Sequence, residues 1–230
     1  MAAKSVYLPR PLLDGEQIRV IGDEHHHLTV GRAIKGEVIE VFDGQGDVWT
    51  TEVVAVSRKD TVLRILDRRR VERTGPEIIL GISLIKSSAF ELALEKAVEV
   101  GVTHVIPVIA QRSNVTPGRR PDRWARIVVE AAKQSKRYHL PIIDDPVKFE
   151  RALDIPALTK IVFAERGGRP LKSALAGSPA LCLVGPEGGW TDSELEAARL
   201  KGFHLVGLGE TILRSETAAI VGVALLRYEL

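Results

Sequence analysis

The stretch "LVGPEGGWTDSELEAARLKGFHLVGLGETILRSETAA", Leu183 to Ala219, constrains the fold more than any other part of the chain. It carries two glycine-rich turns, "GPEGG" and "LGETILRSETA". Each ends an apolar run and each precedes a helical pattern. Glycine permits close backbone approach and positive φ, so such turns mark strand ends where a ligand can be approached by main chain. In an open parallel sheet, ligands bind beyond the carboxyl ends of the strands. Two such turns at consecutive strand ends, both rich in glycine and charge, therefore point to ligand binding rather than to plain strand-to-helix turns.

The neighbouring sequence fits that architecture. From Glu77 onward the runs "IILGISLI", "HVIPVIA", "KIVFAE", "ALCLVG" and "FHLVGLG" are almost continuously apolar. Parallel strands covered on both faces read this way. Helical patterns alternate with them. Ser88 and Glu91 have capping-box spacing before "FELALEKAVEVG", which stops at Gly101; Thr191 and Glu194 repeat the spacing before "ELEAARLKG", which stops at Gly202. A last helix is predicted from about Ser215. The repetition predicts an α/β domain with a mainly parallel sheet.

Residues up to about Arg70 differ in character. "SVYLP", "QIRVI", "GEVIEVFD", "DVWTTEVVAVS" and "TVLRIL" are short and β-branched, "FDGQGDVW" is a hairpin turn, and "DEHHHLTVGRAI" is one short helix. The pattern predicts a small barrel. The division falls at 1–72 and 73–230.

Totals exclude several classes. No apolar stretch approaches a membrane span, and the N-terminus has no signal-peptide core, so a cytoplasmic protein is expected. One cysteine, Cys182, forbids an internal disulfide and sits in the apolar run "ALCLVG". Net charge is only +2, but Gln111 to Leu140 holds eight basic residues against two acidic ones. "DRRRVER", Asp67 to Arg73, is a second basic cluster. Such patches are the footprint of polyanion binding. In "PDRWARIVVEAAKQSKRY", Trp124, Ile127, Val128, Ala131 and Ser135 share a helical face that packs inward. Arg123, Arg126, Lys133 and Arg137 form a basic stripe opposite.

The sequence has no G-x-G-x-x-G, no P-loop and no G-x-S-x-G elbow, which leaves dinucleotide, phosphate-gripping and acyl-transfer chemistry without a motif. Glu187 puts a carboxylate inside the first turn and suits a cationic ligand. Arg214 can stabilise a developing anion. Glu216 either handles a proton or serves as a first-turn acid of the last helix. The triplet His25–His27 cannot converge on one ion, because three adjacent residues diverge on a helix and only two share a strand face. No metal is expected.

These residues resemble the SPOUT methyltransferases, and among them the bacterial RsmE type, which makes N3-methyluridine in small-subunit ribosomal RNA. The resemblance rests on the 183–219 stretch together with "KSSAFELALEKAVEVGVTHVIPVIAQRSN", "RIVVEAAKQSKRYHLPII" and "EHHHLTVGRAIKGEVIEVFDGQG", in the family's order and over nearly the whole chain. Three positions depart from it: Lys136 in "QSKR" stands where glycine is expected, Gly31 in "VGR" where leucine is, and Trp190 where phenylalanine is common. The resemblance implies a deep trefoil knot and an N-terminal PUA-like RNA-binding barrel. It also implies an S-adenosylmethionine pocket made by Phe163, Val184, Gly185, Pro186, Glu187, Gly188, Leu208, Gly209, Ile212, Leu213, Arg214 and Thr217. Arg214, Glu187 and Glu216 become the catalytic candidates. His26, Arg32, Arg112, Arg119, Arg120, Arg123, Lys133, Gln134 and Arg137 become the RNA-contacting ones. The implied partners are 16S rRNA in the small ribosomal subunit and a second copy of the chain. Rival readings are a related enzyme acting on another base or a ribose 2′-hydroxyl, a non-catalytic RNA-binding protein, and an ordinary nucleotide-dependent α/β enzyme.

Overall fold

A computed structural model describes residues 4–113, 121–165 and 168–230. The chain divides into two compact units, Met1–Thr74 with Ala132–Leu140, and Gly75–Ala131 with Pro141–Leu230. A single division at 72/73 has no place for the 132–140 segment in the first unit.

The first unit contains β1 (Lys4–Tyr7), β2 (Leu12–Asp14), β3 (Gln17–Val20), α1 (Gly22–Val30), β4 (Val38–Phe42), β5 (Asp47–Val56) and β6 (Thr61–Arg70). Among the described residues these strands form one six-stranded sheet in the order β1-β4-β5-β6-β3-β2. β1 runs parallel to β4 and the other pairs are antiparallel, so the sheet is mixed. Alternation along the strands buries Val6, Ile18, Val20, Ile39, Val41, Val53 and Leu63 in one core, with Trp49 and Leu28 of α1. The predicted turn between β4 and β5 is present: Asp43 Oδ1 accepts from the main-chain N–H of Gln45 at 2.7 Å and of Asp47 at 3.0 Å.

The 132–140 segment is tied to this sheet. Tyr138 O accepts from Gly46 N at 3.0 Å, and Leu140 N donates to Gly44 O at 3.0 Å. Lys136 has φ 56, a left-handed conformation that favours glycine. Its ammonium donates to Ser5 Oγ at 2.7 Å and Glu40 Oε1 at 3.0 Å. Tyr138 donates its hydroxyl to the same Glu40 oxygen at 2.8 Å, and the Arg69 guanidinium lies over its ring.

The second unit contains β7 (Ile78–Ser83), α2 (Ser87–Val100), β8 (His104–Ile109), α3 (Pro121–Ser135, whose last residues count with the first unit), β9 (Ile142–Ile143), β10 (Val147–Lys148), α4 (Phe149–Ala152), β11 (Thr159–Phe163), β12 (Ala180–Val184), α5 (Asp192–Leu200), β13 (His204–Val206) and α6 (Ser215–Glu229). Among the described residues every strand pairing in its sheet is parallel. The order is β10-β8-β7-β12-β11-β13, with β9 also on β8. β7 and β12 are buried at every position, as their unbroken apolar runs predict.

The helix signals are met in part. Thr191 caps α5 with a reciprocal capping box to Glu194, and Gly101 ends α2 in a left-handed conformation. The predicted box at Ser88 is not formed. α2 begins two residues earlier, with Lys86 rather than Ser88 as its N-cap, and Glu91 instead accepts from Ser87 Oγ at 2.8 Å. Trp124 of α3 is buried and its ring meets that of Phe90 at 4.7 Å. Arg123 and Arg126 are exposed, but Lys133 is not part of an outward stripe: its side chain is 10% exposed and its ammonium lies 3.1 Å from Glu24 Oε1. No helix among the described residues is long and apolar enough to cross a membrane.

Candidate functional site

The strand order places the site. β12 lies between β7 and β11, and β13 lies beyond β11, so the turns after β11, β12 and β13 emerge side by side at carboxyl ends. They enclose a cavity of about 590 Å³.

The first wall is the "GPEGG" turn, where Gly189 has φ 67 and donates its N–H to Pro186 O at 2.9 Å. Val184, Gly185, Pro186, Glu187 and Gly188 all line the cavity. The second wall is the 208–215 turn, with Leu208, Gly209, Ile212, Leu213 and Arg214 on the cavity. The third comes from the end of β11: Phe163, Ala164 and Glu165. The segment after Phe163 is fastened to β13, since Ala164 N donates to Val206 O at 3.0 Å and Arg169 N to Leu205 O at 2.9 Å. Gly168 allows this crossing. A Cβ there would lie 2.2 Å from Gly207 N.

Trp190 joins two walls. Its indole Nε1 donates to Phe163 O at 3.1 Å, and its ring packs on Phe149 at 4.9 Å. Its ring also lies where a Cβ at Gly185 would approach to 3.1 Å.

The electrostatics are mixed. Glu165, Glu187 and Asp192 bring carboxylates to the lining, and Arg112 and Arg214 bring guanidinium groups. Arg214 is 86% exposed at its side chain and lies 4.0 Å from the Glu216 carboxylate, which is 15% exposed. The exposed apolar side chain of Ile212 stands beside it on the cavity.

Eleven of the twelve pocket residues anticipated from sequence line the cavity. Thr217 does not, because Ser215 and Ala218 face the cavity three residues apart on α6, and Thr217 lies about 200° around the helix from Ser215. Glu216 is also off the lining and reaches the site only through Arg214. Sequence reasoning missed Glu165, Asp192 and Ser215, and it assigned Arg112 to an RNA surface. Arg112 lines the cavity and donates to Gly188 O at 2.8 Å.

The other anticipated RNA residues are divided between the two units. In the first unit His26, Arg32 and Gln134 are exposed and Arg137 is half-buried. Lys133 Nζ lies 3.1 Å from Glu24 Oε1 and 3.2 Å from His27 Nδ1. His25 is buried with Nδ1 2.9 Å from Thr61 Oγ1, a structural histidine. In the second unit Arg123 is exposed and paired with Glu91 at 2.5 Å. Arg119 and Arg120 lie outside the described residues.

Comparison with known proteins fits this geometry. The family model of the RNA methyltransferase domain matches residues 73–227, so the chain belongs to that family. It is 32% identical to ribosomal RNA small subunit methyltransferase E of Synechocystis sp., over 97% of this chain and 77% of that protein. It is 34% identical to the protein of the same name from Mycobacterium bovis, over 89% of this chain and 83% of the other. The structure of ribosomal RNA small subunit methyltransferase E from Neisseria gonorrhoeae bound to S-adenosyl methionine superimposes with a TM-score of 0.92. It is 31% identical and covers 99% of this chain and 98% of its own. A putative methyltransferase from Legionella pneumophila in complex with the same cofactor gives a TM-score of 0.92 at 25% identity, covering 99% and 98%.

Proposed function

We propose that this protein uses S-adenosylmethionine to methylate N3 of a uridine in 16S rRNA of the small ribosomal subunit. The observation that carries the reading is the meeting of three strand-end turns around one cavity, in a chain whose likeness to methyltransferase E proteins runs almost end to end.

The residues present suit the cofactor. Val184, Leu208, Ile212 and Leu213 offer apolar surface for a flat base. Gly185, Gly188, Gly189 and Gly209 bring main chain to the cavity border, and Glu165, Glu187 and Asp192 suit a ligand bearing an ammonium and a sulfonium. Bound there, the cofactor supplies an electrophilic methyl group. The protein's own task is then the uridine imide, whose N3 proton must leave while charge spreads to O2 and O4. Arg214, exposed at the mouth of the cavity, stabilises that charge. Glu187, on the cavity lining, accepts or orients the proton. Glu216, off the lining and 4.0 Å from Arg214, places a carboxylate near the guanidinium and serves orientation rather than direct proton transfer.

The finer features of the reading are these. The second unit is knotted, supported by β12 inserted between β7 and β11, Ala164 and Arg169 fastened to β13, and α6 packed on α2, β7 and β12. The first unit is a PUA-like barrel that binds RNA, with Arg32 and His26 exposed on it. The protein is a cytoplasmic homodimer, supported by Leu225, Tyr228 and Leu230, which α6 and the C-terminal residue leave 36%, 85% and 37% exposed.

The test is transfer of label from methyl-labelled S-adenosylmethionine into 16S rRNA of small subunits that lack the modification. Label is expected with the native protein and not with Gly185→Val, whose side chain would press on the Trp190 ring that ties this wall to Phe163. Equal labelling by both proteins would overturn the assignment of the pocket.

A further inference from the structure

β8 ends at Ile109, and the next four residues close a small turn: Ser113 N donates to Ala110 O at 3.1 Å, and Ala110 N to Ser113 Oγ at 3.2 Å. This turn is fastened to the start of α5, because Gln111 N donates to the buried carboxylate of Glu194 at 2.8 Å. From it Arg112 reaches across to the "GPEGG" turn. Its Nη1 donates to Gly188 O at 2.8 Å and to Trp190 O at 3.4 Å. Its aliphatic stem lies against Gly188, where an added Cβ would come within 3.3 Å of Arg112 Cβ.

The two carbonyls that Arg112 holds belong to peptide groups whose N–H ends are also held. The N–H of the Gly188–Gly189 peptide bonds Pro186 O at 2.9 Å, and the N–H of the Trp190–Thr191 peptide bonds Glu194 Oε2 at 2.9 Å. A peptide plane bonded at both ends cannot rotate. The turn is flanked by glycines that would otherwise allow rotation.

We infer that Arg112 is a positioning residue for the cofactor: it fixes the orientation of the "GPEGG" main chain that forms one wall of the pocket, and it does not serve the RNA. The inference rests on the reading of the cavity as the S-adenosylmethionine site. Its physical basis is preorganisation: a wall set before binding does not have to be ordered during it. A guanidinium is suited to the role. It carries its charge permanently and presents several N–H groups in a rigid plane, whereas a lysine offers one mobile ammonium.

The experiment compares native protein, Arg112→Gln and Arg112→Lys. Binding of S-adenosylhomocysteine is measured by calorimetry without RNA, and binding of a 16S rRNA fragment is measured over a range of salt. Arg112→Gln is expected to weaken S-adenosylhomocysteine about tenfold, as loss of a charge-assisted hydrogen bond implies. The slope of RNA affinity against salt is expected to stay as in the native protein. Arg112→Lys is expected to recover part of the cofactor affinity. The contrary result is unchanged S-adenosylhomocysteine binding in both variants, with an RNA salt slope reduced by about one phosphate contact in Arg112→Gln only. If Arg112→Gln does not fold, Arg112→Lys decides: cofactor affinity equal to native overturns the inference, and a severalfold loss supports it. Native protein that binds no S-adenosylhomocysteine overturns the cofactor reading itself and takes this inference with it.

Discussion

The indole N–H of Trp190 donates to the main-chain oxygen of Phe163 over 3.1 Å, from a ring only 9% exposed. The bond joins the turn after β12 to the end of β11, so two walls of one pocket are tied by a side chain whose neighbours in sequence belong to only one of them. Trp190→Phe keeps an aromatic ring but removes the donor and part of the buried indole that packs on Phe149. It is expected to cost about 1–3 kcal/mol of stability, and to weaken S-adenosylhomocysteine severalfold. Urea unfolding and calorimetry check the two parts.

Arg214 is expected to act on the reaction more than on binding. Its guanidinium is exposed and 4.0 Å from the Glu216 carboxylate. Arg214→Ala should lower turnover by about a hundredfold, in the range found when one charge-stabilising donor is removed, while cofactor affinity stays within a few-fold. Steady-state methyl transfer beside calorimetry separates these outcomes, and lost cofactor binding would make Arg214 a pocket residue only.

Glu194 does two jobs with one carboxylate. It accepts from Thr191 N at 2.9 Å in the capping box of α5 and from Gln111 N at 2.8 Å after β8. Glu194→Ala leaves both main-chain donors without that acceptor and should cost about 2 kcal/mol or more. An equilibrium unfolding curve within about 0.5 kcal/mol of native would contradict this.

The Glu40 network predicts acid sensitivity. Burial alone would raise the Glu40 carboxyl, but hydrogen bonds from Lys136 and Tyr138 and the charges of Lys136 and Arg69 outweigh it, so its pKa lies below the ordinary 4.5. A depressed carboxyl pKa stabilises the fold fully above the unfolded value, and that contribution is lost as pH falls through the folded one. Native protein should therefore lose stability below about pH 4.5 more steeply than Glu40→Gln, which has no carboxylate to protonate. Parallel acid-side slopes in urea titrations would contradict it.

Lys136 holds left-handed φ 56 while its ammonium serves Glu40. Lys136→Ala loses the bond and keeps the strain, whereas Lys136→Gly loses the bond and relieves it. The glycine variant is therefore expected to be more stable than the alanine variant by about 1 kcal/mol, measured by urea unfolding at neutral pH.

The pocket was legible where its residues sit in glycine turns at the ends of apolar runs. Gly185, Glu187, Gly209 and Arg214 declared themselves by local pattern and resemblance, and the cavity includes them. Arg112 and Glu165 did not, because the strand order that brings them to the cavity is a long-range property. β12 inserts between two strands that precede it, and no periodicity records that. Thr217 is near the pocket in sequence but lies off the cavity lining, on another side of α6 from Ser215 and Ala218. Lys136 read as an unusual basic residue in place of glycine. The backbone shows why glycine suits the position, and the Glu40 contact shows what lysine does there instead. The 132–140 segment lacked any sequence sign of belonging with the first unit, since its ties there, main-chain bonds to Gly44 and Gly46 and side-chain bonds to Ser5 and Glu40, join residues far apart in the chain.

The central claim is tested most directly by identifying the methylated nucleoside. Small ribosomal subunits lacking the modification are incubated with this protein and methyl-labelled S-adenosylmethionine, and the 16S rRNA is digested to nucleosides. The account predicts label in N3-methyluridine alone. Label in any other nucleoside, or none from a protein that binds the cofactor and these subunits, would contradict it.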